Sequence, residues 1–146
     1  MKFFKQVSLL FLLTTAFAFV GCNDEDPDTV GPTIEITNIP DNKEFKFGEN
    51  LSMHFKFSDQ TGVFQYQYRI YAAEITEETW FLTENLITFE GFFTEKNEIK
   101  SVLLPAKSPS EIYLEGNYII EVLAKDINNN ISTYYKPIRI VYPAAE

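Results

Sequence analysis

Leu51-Ser52-Met53-His54-Phe55-Lys56-Phe57 alternates strictly, with Leu51, Met53, Phe55 and Phe57 at one parity and Ser52, His54 and Lys56 at the other. Successive side chains of a strand point to opposite faces. This stretch therefore predicts a strand with one face in a core and one in water. The next run repeats the pattern, with Phe64, Tyr66, Tyr68 and Ile70 set against Gln65, Gln67 and Arg69. Asp59-Gln60-Thr61-Gly62 lies between the two runs and carries turn chemistry, which predicts a hairpin or a sheet-to-sheet crossing there.

Further along, Tyr118, Ile120, Val122 and Ala124 alternate with Asn117, Glu121 and Lys125. After Asp126 to Asn130 the pattern resumes at Ile138, Ile140 and Tyr142, predicting another hairpin. An opening strand near Thr33 to Thr37, one near Leu86 to Phe93 and one near Ile99 to Leu104 bring the count to about seven antiparallel strands, as in an all-β immunoglobulin-like sandwich. Glu74 to Asn85 fits neither helical nor strand period and stays open between a connection with a helical turn and an edge strand.

Outside this region the composition changes. Lys2 and Lys5 precede Val7 to Val20, an apolar run interrupted only by Ser8, Thr14 and Thr15. Such a run is shorter than the roughly 20 residues of a spanning helix and reads as a secretory signal. It ends at Phe19-Val20-Gly21-Cys22, which resembles the bacterial lipobox, with phenylalanine where leucine is usual. The resemblance implies cleavage after Gly21 and acylation of Cys22, the one cysteine of the chain. The expected organisation is a signal over 1–21, a lipidated cysteine and acidic tether over 22–32, and one β-sandwich domain over 33–146.

Asp24, Glu25, Asp26, Asp28, Pro27, Gly31 and Pro32 leave Val30 as the only large apolar residue of the tether, so the tether is expected to be disordered. The acidic run after Cys22 resembles the signal that sends some lipoproteins of Bacteroidetes-type bacteria to the outer face of the outer membrane. It implies a surface-exposed protein.

The formal charge of the 146 residues is −9, and loss of Lys2 and Lys5 with the signal leaves 10 basic against 21 acidic residues, or −11. No basic cluster interrupts this field, so nucleic acid is not an expected partner. With Cys22 committed to lipid, the exported domain has no disulfide to staple it and must rest on its core.

Two further resemblances bear on the fold. Leu114-Glu115-Gly116-Asn117-Tyr118 resembles the tyrosine corner of immunoglobulin-like and fibronectin-like domains, which implies structural roles for Leu114, Gly116 and Tyr118. More broadly, the sandwich region is similar to lipoproteins of Bacteroidetes-type bacteria in domain-of-unknown-function family 4625. Pro32-Thr33-Ile34, Phe47-Gly48-Glu49-Asn50-Leu51, Trp80 and Gly116-Asn117-Tyr118 running into Ala124-Lys125-Asp126 carry that similarity. A histidine-rich segment associated with the family is missing, and no activity is implied.

Catalytic chemistry finds little support. His54 is the only histidine and alternates with core positions, so it and Lys56 read as the wet face of a strand. No Gly-x-Ser-x-Gly elbow, phosphate-cradling glycine loop or zinc spacing occurs, and the abundance of acidic residues nominates no particular carboxylate pair. Calcium is the metal to consider, with Asp59, Asp126 and Asn128 as oxygen donors on two turns. The same residues equally close hairpins through side-chain bonds to backbone.

Trp80, Phe92 and Phe93 fall outside the clearest alternation and are the ligand-binding candidates, against ordinary packing at an open end of the sandwich. The expected function is a lipid-anchored, non-catalytic binding or adhesion module of the cell envelope, taking a carbohydrate or protein ligand, with no required cofactor. The alternatives are a structural subunit of an envelope or pilus-like complex and, below it, a glycan-acting enzyme.

Overall fold

The computed structural model describes residues 28–74, 81–106 and 115–144. Cys22 and the signal, Trp80 and Leu114 lie outside the described residues. Six strands are present: β1 (Thr33–Ile36), β2 (Lys43–Lys46), β3 (Asn50–Ala72), β4 (Phe81–Leu103), β5 (Gly116–Asp126) and β6 (Ile131–Val141). There is no helix among the described residues, and so none long and apolar enough to cross a membrane.

The fold is all-β and immunoglobulin-like, built as one curled sheet of order β1-β3-β5-β6-β2 with β4 on the other edge of β3. Two departures from the expected strands follow from the length of β3 and β4, 23 residues each. The turn residues at 59–62 do not end a strand. They bend β3, which pairs with β1 over Ser58 to Phe55 and with β5 from Val63 to Ala72. Of the two outcomes expected there, the crossing between layers is the one realised. Likewise the strands expected at Leu86 to Phe93 and Ile99 to Leu104 are parts of β4, which follows β3 through the same bend. The count among the described residues is therefore six, and β2, a short polar strand beside β6, is parallel to it rather than antiparallel.

Local chemistry makes the bend. One Asp59 carboxylate oxygen accepts hydrogen bonds from the Thr61 and Gly62 backbone N–H groups at 2.9 and 2.8 Å and from the Thr61 hydroxyl at 2.8 Å. Gly62 has φ +110°, which L side chains rarely adopt. Residues 59–62 face Thr94 alone on β4, and further on Phe64 faces 89–92, so both strands bulge where the sheet turns. The bulge moves one expected core position. Val63 is buried and Phe64, expected to share a face with Tyr66, is only half-buried.

Between the two layers lies one apolar core. Leu51, Met53, Phe55 and Phe57 from the first half of β3 meet Tyr66, Tyr68 and Ile70 from its second half, joined by Ile120, Val122, Ile138 and Ile140. Phe55 stands 5.6 Å from the rings of both Tyr66 and Tyr68. Tyr118 is buried and meets Phe47 edge-on at 6.3 Å, so it occupies the core position that the tyrosine-corner resemblance implies.

Candidate functional site

Two surfaces have the makings of a site, one at the bent end of the sandwich and one on its outer sheet face. At the bent end three carboxylates converge. Oxygens of Asp28, Asp59 and Asp126 lie within 4.8 Å of one another. Asp59 belongs to the bend, and Asp126 ends β5, where it is fully buried and accepts hydrogen bonds from the Asn130 backbone and side-chain amides at 2.8 and 2.7 Å. Asp28 shares the single Thr61 hydroxyl proton with Asp59, its carboxylate lying 2.9 Å from that oxygen, and accepts from the Val30 N–H at 3.0 Å, while its carbonyl accepts from the Asn130 side chain at 2.9 Å.

Asp59 and Asp126, two of the three calcium candidates, are thus brought together, and Asn128 is exposed on the β5–β6 turn. Asp28 is the member that sequence reasoning assigned to the tether. These bonds and the buried Pro32 hold residues 28–32, expected within the tether, against the β domain. These oxygens could hold a hard cation. In this structure they accept hydrogen bonds that tie the start of the domain, the bend and the β5–β6 turn together. Beside them is a polar cleft of about 580 Å³ lined by Asp28, Thr33, Ser58, Asp59, Thr94 and Glu95.

On the outer face, the second half of β3 lies between β4 and β5, with β6 beyond β5. The register sets Gln67 between Leu86 and Leu123, and Arg69 between Glu84 and Glu121. Arg69 donates twice to the Glu121 carboxylate, at 3.0 and 2.7 Å, and Gln67 donates to Glu84. Glu121 was expected on a wet face but is 5% exposed, because the arginine fork and Tyr71 cover it. The hydrogen bond to Glu121 holds the Arg69 guanidinium above its ordinary value. Burial, with a hydrogen bond to the same carboxylate, pushes the Tyr71 hydroxyl up.

Tyr135 stands beside this pair at 57% exposure, opposite Glu121 on β6. A groove of about 230 Å³ runs alongside, lined by Gln65, Gln67, Leu86, Leu123, Lys125 and Ile131. Arg69 and Glu121 were legible as opposite charges on alternating strands, but their partnership depends on a cross-strand register that spacing does not reveal.

The aromatic candidates divide. Phe92 is 67% exposed and meets Phe64 edge-on at 6.3 Å. Phe93 is half-buried under Lys96, whose ammonium lies 4.5 Å from its ring centre. Among the described residues no side-chain hydrogen bond reaches the His54 ring. This strand instead bonds through its backbone, the His54 N–H donating to Asn38 at 2.8 Å.

No family model and no curated protein matches the sequence. Among solved structures the chain is similar to a superoxide reductase (neelaredoxin) from Ignicoccus hospitalis, at 9% identity and TM-score 0.50, covering 83% of this chain and 88% of that one. It is also similar to the fibronectin(III)-like modules of Clostridium thermocellum CbhA, at 10% identity and TM-score 0.47 over 77% and 100% of the two chains. A third is the PKD domain of an M14-like peptidase from a Thermoplasmatales archaeon, at 16% identity and TM-score 0.43 over 80% and 100%. At 9% identity the likeness to the superoxide reductase is one of fold alone.

Proposed function

We propose that the mature chain is a non-catalytic binding module, held at the cell envelope by lipid on Cys22 and displayed on the outer membrane. The observation that carries the binding reading is the outer face of β4, β3, β5 and β6. There the polar pairs Gln67–Glu84 and Arg69–Glu121 are already locked, Tyr135 is exposed, and an open groove runs beside them.

A rigid polar platform with an exposed ring suits a sugar. The ring of Tyr135 stacks on the apolar face of a pyranose, and the outward lone pairs and N–H groups of Glu84, Gln67 and Arg69 meet its hydroxyls. Carbohydrate is therefore the ligand class proposed first. Among the described residues β4 pairs only with β3, which favours a second reading in which a partner protein adds a strand to that free edge, as in an envelope assembly.

The test is affinity electrophoresis and a glycan array with chain 22–146, wild type against Tyr135→Ala and Leu86→Ser. Retardation by a polysaccharide that Tyr135→Ala abolishes supports the sugar reading. No retained glycan, with a co-purifying protein lost on proline substitution in β4, replaces it with the second. Turnover of any glycan would remove the non-catalytic claim.

A further inference from the structure

We infer that the bent end of the sandwich is a membrane seat, whose apolar rim of Val30, Phe92, Ile127 and Ile131 rests in the surface of the bilayer that holds the Cys22 lipid. The inference rests on the lipid anchor proposed above, and adds an orientation and a contact surface to it.

Five contacts hold together the segments that carry these residues. The Ile127 N–H donates to the Gly62 carbonyl, and a Cβ on Gly62 would stand 3.1 Å from that of Phe92. A Cβ on Gly31, next to Val30, would come within 2.9 Å of the Ile131 backbone. Asp28 bonds to Thr61 and Asn130 between them. Val30, Phe92, Ile127 and Ile131 are 71, 67, 41 and 60% exposed, so one end of the domain presents four apolar side chains to solvent. An exposed apolar cluster of this kind marks a contact surface.

The occupant follows from the short stretch of sequence between Asp28 and Cys22. Asp28 is fixed at the centre of this rim, and six residue steps separate it from Cys22, a reach of roughly 20 Å at full extension. A lipid on Cys22 thus confines this end to the membrane surface and makes contact with it intramolecular, so a modest apolar rim suffices. Beside the rim the ammonium groups of Lys125 and Lys96 lie over the rings of Phe64 and Phe93, 5.7 and 4.5 Å from their centres. The bilayer expected is zwitterionic, because the mature charge of −11 repels anionic lipid. The opposite end, with Leu103 66% exposed at the far end of β4, then points away from the membrane.

The acylated protein supplies a clean test, since lipid blocks the only native thiol. Phe92→Cys and Leu103→Cys variants, each carrying a polarity-sensitive fluorophore, are reconstituted in phosphatidylcholine vesicles containing a lipid-borne quencher, and flotation is scored alongside. The expected result is flotation of both, with quenching and blue shift several-fold stronger for the label at Phe92. A Val30→Cys label should be quenched likewise, and lose most of that quenching when Ile127→Asp and Ile131→Asp are added, with flotation unchanged. Flotation with equal quenching at both ends overturns the seat and leaves the anchor standing. Protein that lacks acyl mass and stays with the soluble fraction overturns the anchor and the seat together.

Discussion

β3 and β4 are equally long, run side by side through the same bend, and treat their side chains in opposite ways. Along β3 the apolar residues are buried: Leu51, Met53, Phe55, Phe57, Val63, Tyr66 and Ile70 are all at 0–1% exposure. Along β4, Leu86, Phe92, Ile99 and Leu103 are 63–67% exposed, while Lys96, Glu98 and Lys100 share the inner face with Phe57, Phe55 and Met53. The difference lies in their neighbours. β3 has a strand on each side, whereas β4 pairs only with β3 among the described residues. Inward charges are a device that keeps a long edge strand from recruiting another chain, and here they accompany an outward apolar row that would otherwise invite one.

The sharpest contrast should appear in matched truncations. Phe55→Ala removes a ring in contact with Phe57, Tyr66 and Tyr68 and is expected to cost about 3–5 kcal/mol. Ile99→Ala, one residue from the facing register position on β4, is expected to stay within about 0.5 kcal/mol. Urea unfolding of the two variants measures both. Similar losses would show that β4 is covered by something and is not an edge.

The bend is the one place where the two strands behave alike, and Gly62→Ala probes it. The new methyl would meet Phe92 Cβ at 3.1 Å and the Phe93 nitrogen at 3.3 Å, on a backbone at φ +110°. Strain of this kind costs about 1–3 kcal/mol. The loss should appear in thermal unfolding together with faster amide exchange at Asp126 and Ile127, whose strand and turn adjoin the bend. Unchanged stability would mean that the backbone at 62 relaxes without the sheet.

Tyr66 carries the cost of coverage on both sides. Its hydroxyl is buried with no hydrogen-bond partner among the described residues. Tyr66→Phe is expected to raise stability by about 1 kcal/mol at neutral pH, since an unsatisfied buried group is removed. Burial, then the charge of Glu98, pushes its ionisation above the usual tyrosine range, and burial does the same for Tyr68. The folded state therefore holds these protons more tightly than the unfolded chain does. Their stabilisation is complete below about pH 10 and declines above it, by up to ~1.4 kcal/mol per pH unit for each group. Unfolding at pH 9 and 11 should show a smaller alkaline loss in Tyr66→Phe than in wild type. An equal loss in both would assign the alkaline sensitivity elsewhere.

This contrast also marks how far the sequence was legible. Period two in Leu51 to Phe57 and Tyr118 to Ala124 is imposed by the core and survives in the fold almost residue for residue. Asp59 to Gly62 was legible as a hairpin or a crossing between layers but not as one of the two, since the same Asp and Gly chemistry ends a strand or bulges it depending on what pairs beyond. The edge character of β4 was not legible, because Ile99 and Leu103 are apolar and only the absent neighbour makes them outward residues. β2 was missed because Lys43-Glu44-Phe45-Lys46 is too short and polar to show a period. For the site, Asp59 and Asp126 were identifiable as turn carboxylates. Asp28 was hidden by its acidic surroundings in the chain, and the partnership of Arg69 with Glu121 by a register 52 residues apart.

The smallest expected change in stability carries the most information about the edge. Glu98 lies between Lys96 and Lys100, 3.4 Å from each ammonium, on the same face as Phe55. Partly exposed pairs of this kind contribute about 1 kcal/mol or less, so Glu98→Val should move the unfolding midpoint little. It would, however, remove the one inward carboxylate between Lys96 and Lys100 on a 23-residue strand whose outer edge is free among the described residues. Two such edges can pair in register. Sedimentation velocity across a concentration series should therefore show wild type as one species and Glu98→Val shifting to dimers or larger forms. Glu98→Gln, which keeps the polar inner face, should remain with wild type. Self-association of both variants would attribute the effect to lost net charge. A monomeric Glu98→Val would mean that the inward charges are not what keeps β4 unpaired.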